Sequence, residues 1–147
     1  MRRKPERPYW QPNPHAKGYF TPEKTPKHEA LHTAVAIILG YRPVKIRINK
    51  DGSGVADTEP FPRVGWHRAA MALAPVLIDD FGTSDQEYMS GVRPRSRGYA
   101  WRWLKENRNK ILRKANKIVT EMGKPGGTLL WNDDGSVEWR PRKKVKR

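Results

Sequence analysis

His28, Glu29 and His32 are the residues of this chain whose types and spacing could do chemistry together. Two histidines four positions apart lie one above the other on a helix face, so both rings can reach one zinc ion at about 2.0–2.1 Å. Glu29 follows the first histidine and points beside the metal, outside its coordination shell. There it can act as general base toward a metal-activated water and hand the proton to a leaving amine. Two ligands and a base on one rigid turn form a hydrolytic unit of the zinc-peptidase type. A catalytic zinc takes a third protein ligand. Asp85, Glu87, Asp79, Asp80, His67 and Glu59 are the candidates, and composition leaves the choice among them open. The chain has no cysteine, which removes thiolate zinc sites, disulfides and cysteine nucleophiles.

The motif needs a helix, and the sequence offers one. Thr25 can cap, Pro26 suits the first helical position, and apolar residues recur from Ala30 to Leu39 before Gly40 stops the run. Val44 to Ile48 alternates with period two and is predicted as a strand, followed by a turn over 49–54 and a short return strand over 55–58. A second helix is expected over 63–81, kinked or split at Pro75. Asp85 opens or precedes the next helical piece, 91–97 reads as a basic loop, and a long amphipathic helix is predicted over 99–122. Thr128–Trp131 and Ser136–Trp139 flank Asn132-Asp133-Asp134-Gly135 as a hairpin. The expected fold is α+β: a mostly helical metallopeptidase-like domain over 25–122 with a small sheet, then a C-terminal hairpin over 123–140. An extended proline-rich basic arm occupies 1–24, with Tyr9, Trp10, Tyr19 and Phe20 available to pin it across the domain. A basic tail occupies 141–147.

Charge is unevenly spread. Residues 1–24, 25–90 and 91–147 carry +4, −1 and +12, which make up the net +15. A near-neutral centre between cationic ends attracts polyanions, of which nucleic acid is the commonest in a cell. The candidate phosphate contacts are Arg108, Lys110, Arg113, Lys114 and Lys117 on the long helix, and Arg142, Lys143 and Lys144 in the tail. No apolar run is long enough for a membrane span and no signal-peptide core follows the basic first residues. The expectation is a cytoplasmic protein, nuclear in a eukaryotic host.

The run His28-Glu29-Ala30-Leu31-His32-Thr33-Ala34-Val35-Ala36 resembles the metal helix of the FtsH-like peptidases, whose usual form is His-Glu-Ala-Gly-His with a small apolar continuation. Pro43-Val44-Lys45-Ile46-Arg47-Ile48 is similar to the strand that follows that helix, and Asp79-Asp80-Phe81-Gly82 to the family's acidic-Phe-Gly step. Ser84-Asp85 matches the position of the family's third zinc ligand. The resemblance covers roughly residues 26–122. It implies a zinc-dependent peptidase acting on protein or peptide substrates, with zinc on His28, His32 and Asp85 and with Glu29 as base. Leu31 departs from the family's glycine, and nothing here resembles the ATPase motor that normally feeds these peptidases.

SprT-like proteases share the motif and a basic tail but complete the site with a third histidine, a role that Gly65-Trp66-His67 could supply. A reading without chemistry also stands beside these: a nucleic-acid-binding, inhibitory or assembly protein on a degenerate or winged-helix-like scaffold.

Overall fold

In the computed structural model, which describes residues 24–142, the capped apolar run forms helix α1 (Thr25–Ile38). Thr25 is buried, and its hydroxyl donates to the Gly52 carbonyl in the turn after the first strand. The helix stops where the sequence predicts. Gly40 N–H returns to the Ile37 carbonyl (3.0 Å) and Tyr41 N–H to the Ala36 carbonyl (2.9 Å), which satisfies the last carbonyls of the helix. Ala30, Leu31, Ala34, Val35 and Ala36 are all fully buried. A helix apolar on most of its circumference must be enclosed by other elements, and α1 is the central rod of this fold.

The expected strand and return strand become β1 (Arg42–Ile48) and β2 (Gly54–Glu59), paired antiparallel. β3 (Gly127–Trp131) and β4 (Val137–Pro141) form the expected hairpin. That hairpin is continuous with the rest, because β3 pairs antiparallel with β1 through Ile46↔Leu129 and Arg47↔Thr128. The result is one four-stranded sheet in the order β2-β1-β3-β4. Ile46, Ile48 and Leu129 point from one face of it into the core, where α1 packs against β1 and β2. The α+β class is as expected.

Helix α2 spans Gly65–Leu73 and passes into a 3-10 turn over Ala74–Ile78. Pro75 has no N–H to give an α-helical ladder, so the helix expected over 63–81 is split there. Helix α3 (Thr83–Tyr88) carries Asp85. The helix expected over 99–122 is corrected to two: α4 (Pro94–Glu106) and α5 (Arg108–Thr120). Asn107 is the break. Its backbone N–H keeps the ladder bond to the Trp103 carbonyl (3.0 Å), its side-chain amide donates to the same oxygen (2.8 Å), and its backbone leaves the helical region at φ −106°, ψ 13°. The basic loop expected over 91–97 is likewise shorter, since Pro94 opens α4 with Arg93 extended before it.

α5 lays Ile111, Ala115 and Ile118 against the core beside α1. No helix among the described residues is long and apolar enough to cross a membrane. The proline-rich arm, apart from Lys24, and residues 143–147 lie outside the described residues.

Leu31 is the core side chain nearest the motif, so its truncation tests the placing of α1. Leu31→Ala is expected to lower the unfolding free energy by about 2–5 kcal/mol in urea denaturation. A loss within experimental error of zero would contradict a fully buried Leu31.

Candidate metal centre

One turn of α1 presents both imidazoles to the same point. His28 Nε2 and His32 Nε2 are 3.1 Å apart. Asp85 reaches them from α3, with Oδ1 2.9 Å from His32 Nε2 and Oδ2 3.2 Å from His28 Nε2. Gly82 N–H donates to Asp85 Oδ2 (2.9 Å), which fixes the carboxylate against the start of α3. These three side chains are the one group among the described residues that brings such donor atoms within 4.8 Å of one another.

The far nitrogens decide what the near ones can be. His32 Nδ1 faces the Met71 carbonyl at 2.6 Å, and a carbonyl only accepts, so Nδ1 carries the proton. His28 Nδ1 donates to Asp80 Oδ2 at 2.8 Å. In the neutral rings both Nε2 atoms therefore hold lone pairs, and those lone pairs converge with two carboxylate oxygens. Such a cluster of acceptors is stable only around a shared cation, either protons or a metal ion. Tetrahedral zinc with bonds of about 2.0–2.1 Å sets its ligand atoms about 3.3 Å apart, within a few tenths of an ångström of the separations here. A carboxylate or a carbonyl behind each ligating histidine is also the arrangement that orients metal-bound imidazoles. Two nitrogens and one oxygen, with a fourth position left for water or substrate, form the donor set of a catalytic zinc site.

Glu29 is buried on the same turn as His28. It lines an open cleft of about 330 Å³ together with His32, Asp85, Met71, Phe61 and Tyr88. Burial raises its pKa above the ordinary carboxylate value; the nearby Asp85 and Asp80 add to this, and the two histidines oppose it. The start of β2 comes very close here: a Cβ on Gly54 would stand 3.1 Å from Glu29 Cγ and 2.8 Å from Thr25 Cγ2.

The other candidate ligands fall elsewhere. Asp80 sits behind His28 as its hydrogen-bond partner. His67 points the other way, bonded to the Tyr41 hydroxyl (2.8 Å) and edge-on to Trp66. Glu87 and Asp79 are exposed, and Glu59 pairs with Arg42 at 3.3 Å. Of the basic residues, Arg108, Lys110, Arg113 and Lys117 stand exposed on α5 with Lys114 half-buried, and Arg142 is exposed just past β4. Lys143 and Lys144 are outside the described residues. The Met71 carbonyl is the contact that sequence reasoning missed, since a backbone atom leaves no signature in residue type.

Comparison of the chain with family models, with curated proteins and with solved structures gave no match.

Without metal, protons must serve as the shared cation. Burial is the largest single influence on His28 and pulls its pKa down. The hydrogen bonds to Asp80 and Asp85, with the charges of Asp85 and Glu29, outweigh it and raise the value from 6.5 to about 10. Burial likewise pushes Asp85 up, but the two histidines overcome it and hold the carboxyl below its ordinary 3.8. A raised histidine stabilises the fold fully below its unfolded value and loses that contribution as pH climbs through its folded one. For a depressed carboxylate the contribution is present above 3.8 and is lost in more acid solution. Thermal melts of metal-free protein are therefore expected to be highest between about pH 4 and 6.5, with a decline toward pH 10 that His28→Gln flattens. A decline of equal size in the variant would contradict the His28 pairing.

Proposed function

We propose that this chain is a zinc-dependent peptidase, with His28, His32 and Asp85 as metal ligands and Glu29 as general base. The observation that carries the reading is the convergence of two Nε2 lone pairs and one carboxylate on a point beside a buried glutamate. Zinc held there would supply Lewis acidity, lowering the pKa of water and polarising a carbonyl.

The chain's own residues would do the rest. Asp80 and Met71 hold the imidazoles in the tautomer that exposes Nε2. Glu29, whose carboxyl burial pushes above its ordinary value, is placed to take a proton and return it to a leaving amine. A scaffold that only binds gains nothing from burying that carboxylate, which costs desolvation with no direct ion pair among the described residues in return.

The cleft supports a peptide as the substrate. Five consecutive residues of β2, Gly54 to Thr58, line it. Alternate residues of a strand point to opposite faces, so an unbroken run along the wall means that the strand offers its edge. Among the described residues β2 pairs with β1 alone, which leaves that edge open. An extended peptide can pair with such an edge through its own backbone, which would carry its carbonyls past Glu29. Val55, Ala56, Phe61 and Tyr88 make the cleft apolar enough to favour substrates with apolar side chains near the cut bond.

Untagged protein purified with zinc is expected to hold about one zinc per chain by elemental analysis. Glu29→Gln should retain the metal and lose peptide hydrolysis by roughly 10²–10⁴-fold. Asp80→Asn, which removes the partner behind His28, should weaken zinc affinity by about 10–100-fold. Full hydrolysis by Glu29→Gln, or zinc binding untouched by both His28→Ala and His32→Ala, would overturn the reading.

A further inference from the structure

The outer face of the sheet carries a second feature, independent of the metal cleft. Cross-strand register sets Arg47, Thr128 and Arg140 side by side on β1, β3 and β4, on the face opposite Ile46, Ile48 and Leu129. One step further, Arg142 N–H donates to the Gly126 carbonyl (2.6 Å) and extends the ladder past β4. Lys50 lies across Gly126 so closely that an added Cβ there would stand 2.8 Å from its Cγ. These residues border an open groove of about 890 Å³.

The groove has more cations than carboxylates to balance them. Lys45 shares Asp57 (3.8 Å) and Arg140 shares Glu138 (2.7 Å). Arg47, Lys50 and Arg142 have no ion-pair partner among the described residues. Asp51 is the one acid in the lining, and its carboxylate is turned into its own turn, accepting from Ser53 N–H (2.9 Å) and Ser53 Oγ (2.6 Å). Neighbouring like charges cost the fold self-repulsion, which an anionic ligand would relieve.

The ligand must match a row, since the cations are spread along it. Arg47 and Arg140 stand two strand spacings apart, about 10 Å, with Lys50 and Arg142 at one end. In sequence, Arg142 runs on into Lys143-Lys144-Val145-Lys146-Arg147. A polymer with one charge per repeat meets such a row at several points, and guanidinium groups pair bidentately with phosphate. No aromatic ring lines the groove among the described residues, so it offers no platform for stacking bases.

We propose that this groove binds the phosphodiester backbone of nucleic acid without reading its bases. Fluorescence anisotropy of a labelled mixed-sequence oligonucleotide, single-stranded and duplex, titrated with the full chain over a range of salt, tests it. Affinity is expected to fall steeply with salt and to be indifferent to base sequence. Changing Arg47→Gln, Lys50→Gln and Arg142→Gln together should reduce the slope of log affinity against log salt by about 3. Arg47→Gln alone should reduce it by about 1, which keeps the test valid should the triple variant fail to fold. A control on the other basic face, Lys110→Gln with Arg113→Gln and Lys117→Gln, should change the slope less. An unchanged slope in the groove variants, or the larger loss in the α5 control, would overturn the proposal. So would polyglutamate of matched charge binding as tightly as the oligonucleotide, which would point to an acidic protein partner.

Discussion

Acceptors that converge on one point need a positive charge between them. That requirement governs the centre of this molecule. His28 Nε2, His32 Nε2 and the Asp85 carboxylate approach within 2.9–3.2 Å, while hydrogen bonds behind the rings commit both Nδ1 atoms as donors. Neither ring can turn its lone pair away without breaking one of those bonds. The surrounding structure supplies the rigidity. α1 is enclosed by the sheet, by α2 and by α5, so the turn that carries the motif is held along with the core. The 3-10 turn at Ala74–Ile78 then delivers Asp80 behind His28, and α3 brings Asp85 in front of it.

The β1–β2 hairpin divides the molecule into two working sides. At its inner boundary Gly54 comes against Glu29 and begins the strand that walls the cleft beside the candidate metal centre. At its tip Lys50 and Asp51 face the cationic groove on the other side of the sheet. The buried cluster gathers Glu29, Asp80 and Asp85 about two imidazoles largely out of solvent, whereas the groove keeps its excess positive charge in solvent, where repulsion is weaker. The proposed hydrolytic site and the proposed polyanion groove thus lie in different dielectric environments.

Much of this was legible in the sequence because it is local. The spacing of His28 and His32, the stop at Gly40, the alternation of β1 and the turn Asn132–Gly135 each depend on a few neighbouring residues. Asp85 was among several acids that composition could not separate; only its place in the matched order of a family's features singled it out, and the structure brings it to the two histidines. What stayed hidden depends on distant packing or on backbone atoms. Nothing in residue type marks the Met71 carbonyl as the partner of His32. The pairing of β3 with β1 joins segments some eighty residues apart, which periodicity does not report. Apolar spacing continues smoothly from α4 into α5, so it reads as one helix; the break is one residue, Asn107, whose backbone leaves the helical region while its amide bonds the Trp103 carbonyl. His67 looked eligible as a ligand by type, yet its position on α2 turns it to Tyr41 and Trp66.

Zinc K-edge X-ray absorption on untagged, zinc-loaded protein tests the shared-cation centre most directly. Two imidazole nitrogens and one carboxylate oxygen at about 2.0–2.1 Å, with one further light ligand, are expected, and Asp85→Ala should remove one oxygen scatterer while both imidazole signals persist. Absence of imidazole scattering, or a spectrum identical in Asp85→Ala, would contradict it.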